Sequence, residues 1–216
     1  NIMSNLNKRI LTSIPLIIVV IFSIYNNIIL VLSLYIISAI LINEFSNILK
    51  NIFRRNKKFF FITLNLFIFY ICLFISQIYF FLSSEFENKQ IIILFILSIC
   101  IFTDIGGYIF GKIFKGKKLT SISPNKTYAG MIGSFICSLL ICILFVTNSN
   151  FSIYLIFFTL IISLVSQSGD LFISYLKRKA KMKDTGKFLP GHGGLLDRLD
   201  GIILAIPLGI KIFIFF

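Results

Sequence analysis

Charged residues, tryptophan and histidine are all scarce in this sequence of 216 residues. Only 13% of the residues are charged, Trp is absent and His occurs once, whereas ordinary globular domains contain about 25% charged residues. Hydrophobic residues make up 57% of the chain, and the mean hydropathy is +0.97. Because these residues form long apolar runs, the composition excludes a soluble enzyme and indicates an integral membrane protein.

Cysteine is also too sparse and too scattered to organise the fold. All four cysteines lie inside apolar runs, without the spacing of a disulfide framework or of zinc ligands: Cys72, Cys100, Cys137 and Cys142. We therefore predict neither disulfides nor a zinc site.

The apolar runs predict an all-α fold, a polytopic bundle of about seven transmembrane helices. A helix needs about 20 residues to cross the hydrocarbon layer, and four of the runs reach that length while three are short. The predicted spans are Ile10–Ile24, Ile28–Ile42, Phe59–Leu82, Ile91–Phe110, Ala129–Thr147, Phe151–Leu176 and Ile202–Phe216.

The distribution of basic residues predicts the orientation of this bundle. The chain has 21 Lys and Arg, and all but two lie near the amino terminus or in the connections 43–58, 111–128 and 177–200. These three are alternate connections between spans. Because cytoplasmic loops carry an excess of Lys and Arg, we place the amino terminus and all three connections on the cytoplasmic side. Topology alone explains the formal net charge of +13, and we predict no nucleic-acid partner.

Two of the eight acidic residues lie within predicted spans. Asp104 and Asp170 each precede a basic segment by seven residues, which places them about 10 Å deep at 1.5 Å per residue. An intramembrane carboxylate indicates a functional site, although an interhelical hydrogen bond or ion pair remains an alternative. Glu44, Glu85 and Glu87 lie at the ends of spans, and we interpret them as solvated interfacial carboxylates.

Helical spacing predicts a cluster of carboxylates at the cytoplasmic boundary. Asp170, Ser174, Lys177 and Lys181 recur at intervals of three or four residues, so they share one helix face. Asp197 and Asp200 share a face of the last helix. If these two helices pack together, the three carboxylates lie close to one another. Such a cluster of oxygen atoms suits Mg²⁺, and a carboxylate-bound Mg²⁺ would also bind phosphates.

Two connections have the composition of phosphate-binding segments. The segment 183–194 contains four glycines, which let the backbone approach an anion closely. Ser123, Lys126 and Thr127 lie at the predicted start of a helix, where backbone N–H groups favour a phosphate. A flexible loop is the alternative for the first segment. In addition, Gly107 and Gly111 form a Gly-x-x-x-Gly pattern that permits close helix packing beside Asp104.

The segment from Ser174 to Asp200 resembles the signature of the phosphatidate cytidylyltransferase, or CDP-diacylglycerol synthase, family. The pattern runs over 27 residues without a mismatch, through Ser174, Lys177, Arg178, Lys183, Asp184, Gly186, Leu189, Pro190, His192, Gly193, Gly194, Asp197, Arg198, Leu199 and Asp200. The upstream segment is similar to the family's Ser-Pro-x-Lys-Thr-aromatic motif, from Ser123 to Tyr128. Ala129 departs from it, because the family has a polar residue there.

The resemblance implies condensation of CTP with phosphatidic acid to give CDP-diacylglycerol and pyrophosphate in phospholipid biosynthesis. It implies an enzyme of the bacterial inner membrane, surrounded by membrane lipids, with its active site facing the cytoplasm. The resemblance leaves open whether the protein forms a homodimer and whether its site holds two cations.

We assign expected roles to the residues of the signature and of the upstream segment. We expect Asp170, Asp197 and Asp200 to hold Mg²⁺. Catalytic or phosphate contacts are expected from Lys126, Lys177, Arg178, Lys183 and Arg198, and further substrate contacts from Asp104, Ser123, Thr127, His192, Gly193 and Gly194. Asp184 orders the loop or joins the metal ligands. A base role for His192 is disfavoured, because the attacking phosphate has no proton to remove.

We divide the chain into an N-terminal lipid-embedded region, 1–90, and a catalytic region, 91–216, with cytoplasmic loops 111–128 and 177–200. Two other functions stay open from the sequence. A CTP-dependent polyprenol or phytol kinase would give a phosphorylated alcohol and CDP, and a small transporter would line a conducting path with Asp104 and Asp170. An inactive relative with the same motifs is a further alternative.

Overall fold

The computed structural model describes residues 15–16, 18–120, 122–123, 126–146, 153–186, 188 and 193–215. Residues 18–25 are helical. They are followed by six long helices: α1 (Asn27–Ile52), α2 (Lys57–Ser83), α3 (Lys89–Phe114), α4 (Tyr128–Val146), α5 (Ile153–Lys179) and α6 (Leu196–Phe215). No described residue lies in a β-strand, which confirms the all-α prediction.

Five of these helices are long and apolar enough to cross a membrane. They are α1, α2, α3, α5 and, over Tyr128–Phe145, α4. They match the second to sixth predicted spans. The first predicted span lies partly outside the described residues, and the seventh forms as α6, which is not among the five. The count of seven spans therefore stays a prediction.

Helix α1 is longer than its predicted span, and this changes the interpretation of the basic segment 43–58. The helix continues ten residues beyond Ile42, to Ile52, because Phe45, Ile48 and Leu49 supply a further buried apolar face. Only 53–56 separates α1 from α2. Most of the segment that we predicted as a connection is therefore helical.

The chain divides into two compact units. The first unit contains the residues up to Gln90 together with Leu176–Leu199, and the second contains Ile91–Tyr175 together with Asp200–Phe216. The segment 176–199 therefore lies in the same compact unit as α1 and α2.

Within the first unit, α1 and α2 pack against each other. Leu41, Ile48 and Ile71 are almost completely buried, and the rings of Phe45 and Phe67 stack with centroids 3.8 Å apart. Aromatic pairs of this kind add to the stabilisation from apolar burial.

Within the second unit, α3 and α4 approach closely through small residues. A Cβ atom on Gly107 would lie 2.8 Å from Ser134 Oγ, and one on Gly130 would lie 2.7 Å from the carbonyl oxygen of Gly107. Gly111 also faces this interface, with Gly130 Cα 3.7 Å from its ideal Cβ position. The close packing predicted from Gly107 and Gly111 is confirmed.

Candidate functional site

Asp200 lies beside Asp170 because α5 and α6 touch through two glycines. A Cβ atom on Gly169 would lie 2.5 Å from the carbonyl oxygen of Asp200, and one on Gly201 would lie 2.8 Å from that of Ser166. Larger residues at these positions would force the backbones apart. These two glycines, which the sequence analysis did not single out, therefore bring the two carboxyl groups together.

The buried carboxyl group of Asp200 interacts directly with Asp170. Burial has the largest effect on Asp200, and with the negative charge of Asp170 it raises the pKa of the Asp200 carboxyl well above its usual range. The two side chains are hydrogen-bonded, and the charge of Asp104 acts in the same direction. Two carboxyl groups this close cannot both be ionised at low cost unless a cation or a proton lies between them.

Lys126 forms an ion pair with Asp170 at the edge of a polar cavity in the second unit. The other carboxylate oxygen of Asp170 accepts a hydrogen bond from Ser174 Oγ at 3.3 Å, as their shared helix face predicted. The cavity has a volume of about 310 Å³, and its polar lining residues are Thr103, Asp104, Ser123, Lys126, Thr127, Ser134, Gln167 and Asp170.

The start of α4 forms one wall of this cavity. Thr127 is the N-cap, because its Oγ1 accepts the N–H of Gly130 at 3.1 Å. The N–H of Lys126 donates to the carbonyl of Ser123, and Lys118 pairs with Thr127 in an isolated antiparallel bridge. These bonds hold Ser123, Lys126 and Thr127 together just before α4, and the sequence predicted their place at the start of this helix. Their contact with a phosphate stays a prediction.

In the first unit, four donor atoms lie within hydrogen-bond distance of the Asp197 carboxylate. Its Oδ1 accepts from Lys177 Nζ at 2.7 Å, which is also an ion pair. Its Oδ2 accepts from the N–H of Thr185 at 2.8 Å, from Thr185 Oγ1 at 3.0 Å and from the N–H of Gly194 at 3.2 Å. Partial burial alone would raise the pKa of Asp197, but the hydrogen bonds and the charge of Lys177 bring it below the usual value.

Glu44 is the functional candidate that the sequence analysis missed. The interpretation of Glu44 as a solvated interfacial residue is wrong, because its side chain is buried, with 5% of its surface exposed. Its Oε1 accepts the N–H of Leu195 at 2.9 Å, and its Oε2 accepts the N–H of Leu196 at 2.8 Å and the hydroxyl of Thr185 at 2.9 Å. Glu85 and Glu87 are exposed, as predicted.

The remaining predicted residues divide into an exposed group and a structural group. Arg178, Lys183, Asp184 and Arg198 are exposed. Gly193 has φ of +84°, a conformation that favours glycine, and Gly194 donates to Asp197. His192 lies outside the described residues.

The carboxyl groups suit a hard divalent cation, but they do not form a complete cage. Among the described residues, no group of three His, Cys, Asp or Glu side chains could hold a metal ion. Mg²⁺ often binds one or two protein carboxylates and takes its other ligands from water and substrate phosphates. The hydrogen-bonded pair of Asp170 and Asp200 fits that pattern. The hypothesis that Asp197 shares the same Mg²⁺ stays a prediction.

Comparison with known proteins identifies several bacterial relatives. Proteins named phosphatidate cytidylyltransferase match this chain with 45% identity over 149 residues in Rickettsia typhi and 44% over 139 residues in Rickettsia felis. These matches cover 62% and 59% of this chain, and 64% and 60% of the relatives. A protein of the same name from Staphylococcus haemolyticus is 48% identical over 110 residues, which are 49% of this chain and 42% of the relative.

The chain therefore covers less than two thirds of the length of each of these relatives. The model of the cytidylyltransferase family matches residues 7–216. Because that match extends over nearly all of the sequence, this protein belongs to the cytidylyltransferase family.

Proposed function

We propose that this protein is a phosphatidate cytidylyltransferase, which condenses CTP with phosphatidic acid to give CDP-diacylglycerol and pyrophosphate. The observation that carries the proposal is the polar cavity of the second unit, where Lys126 pairs with Asp170 beside the capped start of α4. The cavity combines the ammonium group of Lys126 with carboxylate oxygens and hydroxyl groups. This combination suits phosphates that are bound together with a metal ion. The names of the relatives support the choice of substrates.

The proposed reaction needs no general base. A phosphate oxygen of phosphatidic acid, already ionised at neutral pH, attacks the α-phosphorus of CTP. The new bond joins that oxygen to the α-phosphorus, and the bond from the α-phosphorus to the bridging oxygen breaks and releases pyrophosphate. Catalysis then depends on positioning two polyanions and on neutralising their charge.

We assign the phosphate contacts to the basic residues of both units. Lys126 binds phosphate within the cavity, with Ser123 and Thr127 orienting it, and Lys177, Arg178 and Arg198 supply further positive charge. Asp170 and Asp200 would hold Mg²⁺, together with Asp197. When bound, the ion would neutralise phosphate charge and polarise the reacting phosphoryl group.

In this proposal the enzyme lies in the bacterial inner membrane, with seven spans and a cytoplasmic amino terminus and active site. The alternate distribution of Lys and Arg supports this orientation. Lipid substrate would then reach the site from the surrounding bilayer.

The test is synthesis of CDP-diacylglycerol by the purified protein from labelled CTP and phosphatidic acid, with and without Mg²⁺. We expect Mg²⁺-dependent product in the wild type. Asp170→Asn should lower kcat/KM at least about 100-fold, because it weakens both the pairing with Lys126 and the cation site. Glu87→Gln, an exposed acid in a connection, is the matched control and should retain wild-type activity.

Phosphorylation of a polyprenol with release of CDP would contradict the proposal. So would full activity of Asp170→Asn.

A further inference from the structure

Glu44 is a buried carboxylate to which the proposed reaction gives no role. It lies in α1, and each of its oxygens accepts hydrogen bonds from residues far along the chain. Both Leu195 and Leu196 donate their backbone N–H groups to it, at 2.9 and 2.8 Å. A buried carboxylate is costly unless it is fully hydrogen-bonded, so its presence on the buried face of α1 calls for a reason.

The first consequence of these bonds is that Glu44 fixes the start of α6. The N–H groups at the beginning of a helix have no partner within the helix, and a negative charge there interacts favourably with the helix dipole. Leu196 is the first residue of α6, and Asp197 is the second. Glu44 therefore anchors the helical turn that carries Asp197.

The second consequence is a direct bridge from Glu44 to Asp197. The Oγ1 atom of Thr185, whose side chain is completely buried, lies 2.9 Å from Glu44 Oε2 and 3.0 Å from Asp197 Oδ2. The hydroxyl has one proton, so it donates to one of these oxygens at a time, and because it lies within hydrogen-bond distance of both it links two carboxyl groups that come from different parts of the sequence. Asp197 in turn accepts the bond from Lys177 on its other oxygen.

The glycines of the α5–α6 connection close around the same carboxyl group. A Cβ atom on Gly186 would lie 2.5 Å from Glu44 Oε1, and one on Gly194 would lie 2.6 Å from Glu44 Oε2. Only glycine leaves room for the carboxylate at these two positions. The loop is therefore shaped to receive Glu44.

We propose that Glu44 is a positioning residue, which acts through Thr185 and the start of α6 to orient Asp197 and Lys177. The inference rests on the proposed function for its kinetic consequence. Its structural consequence, a loop held by Glu44, is independent of the reaction.

Four variants test the proposal. Glu44→Gln keeps the size of the side chain but places an amide donor against the N–H groups that Glu44 now accepts. Thr185→Val removes the bridging hydroxyl group at nearly constant volume, whereas Thr185→Ser keeps it. Glu87→Gln makes the same chemical change as Glu44→Gln at an exposed position of the first unit.

The kinetic measurements separate positioning from substrate binding. We expect kcat to fall about 10- to 100-fold in Glu44→Gln and Thr185→Val, the range found when groups that orient a functional side chain are removed. KM for CTP should stay within about twofold, because Glu44 and Thr185 do not touch substrate in this proposal. Thr185→Ser and Glu87→Gln should retain wild-type kcat.

Limited proteolysis supplies a measurement that needs no activity. Phe188 is an exposed residue of the loop, so chymotryptic cleavage after it reports loop opening, with cleavage after Phe114 as the internal reference. Loss of a hydrogen bond to a carboxylate should increase cleavage after Phe188 about tenfold or more. The rate after Phe114, in the second unit, should not change.

Wild-type kcat and cleavage rate in both Glu44→Gln and Thr185→Val would overturn the proposal. If Glu44→Gln does not fold, the comparison of Thr185→Val with Thr185→Ser decides, since equal behaviour of these two would also overturn it. If the wild-type protein forms no CDP-diacylglycerol, the proposed function fails, and the proteolysis result still decides whether Glu44 holds the loop.

Discussion

Asp197 and Asp200 lie one helical turn apart, yet their carboxyl groups have opposite environments. Asp197 accepts bonds from Lys177 and from two backbone N–H groups, and its pKa is lowered. Asp200 is buried next to Asp170, and its pKa is raised. Spacing along the sequence therefore placed both residues on one helix, but the surrounding donors and charges determine what each carboxyl group can do.

The lowered pKa of Asp197 predicts how the protein responds to acid. A carboxyl group with a folded-state pKa below its unfolded value stabilises the fold above the unfolded pKa, near 3.9 for Asp, and this stabilisation is lost as the pH falls through the folded-state pKa. We expect wild type to melt at a higher temperature than Asp197→Asn at neutral pH. The difference should shrink below about pH 4.

Thermal unfolding in detergent and EDTA, recorded from neutral pH to the acid limit of solubility, measures this effect. Glu87→Gln, at an exposed position of the first unit, is the control for the removal of an acidic side chain. A difference between wild type and Asp197→Asn that grows as the pH falls would contradict the prediction.

At the level of helices, the contact between α3 and α4 depends on positions without side chains. Gly107 and Gly130 both line the polar cavity, and each leaves space that the other helix fills. The spacing of these helices and the shape of the cavity are therefore linked. In a membrane, where lipid gives little hydrophobic drive for helix association, such close contacts hold helices together.

Gly130→Ala tests this link. Its new methyl group would lie 2.7 Å from the backbone oxygen of Gly107, and backbone cannot move aside as a side chain can. We expect a loss of about 1–3 kcal/mol of stability, the usual cost of overpacking, and a lower kcat/KM. Ile132→Ala, on the exposed face of α4, should change neither the melting temperature nor the activity.

An unchanged melting temperature in Gly130→Ala would mean that α3 and α4 are not held by this contact. A lower melting temperature with unchanged activity would separate the helix contact from the shape of the cavity.

Glu44 illustrates which features of a helix remain hidden in its sequence. The apolar run ends at Ile42, so the sequence predicted a helix end and a solvated acid just beyond it. In the structure α1 continues, and Leu41, Phe45 and Ile48 surround Glu44 on the buried side of the helix. The spacing of those three apolar residues was the available signal that Glu44 lies on a buried helix face. The hydrogen-bond partners of Glu44, at 185, 195 and 196, could not be inferred from spacing.

For the whole molecule, the sequence predicted the helical class and the six long helices, because the length of the apolar runs determines both. It also predicted that Asp170 and Ser174 share a helix face, because they are four residues apart, and the hydrogen bond between their side chains confirms this. It did not predict the glycine contacts that bring Asp170 to Asp200. Nor did it predict the grouping of 176–199 with α1 and α2, since both depend on which helix faces meet.

The helices make a prediction about topology that can be checked without substrate. Lys117 and Lys183 are exposed residues separated by α4 and α5, so two membrane crossings place them on the same side. Glu87 is separated from Lys117 by α3 alone and belongs on the opposite side. The excess of Lys and Arg predicts that the shared side of Lys117 and Lys183 is the cytoplasmic one.

Single-cysteine variants, made after replacing the four native cysteines, test this arrangement with a membrane-impermeant maleimide. In intact spheroplasts, we expect labelling of Glu87→Cys but of neither Lys117→Cys nor Lys183→Cys, and labelling of all three after permeabilisation. The cysteine-free protein is the control for background. Labelling of Lys117→Cys and Lys183→Cys from opposite sides would mean that α4 or α5 does not cross the membrane, because only an odd number of crossings separates residues in that way.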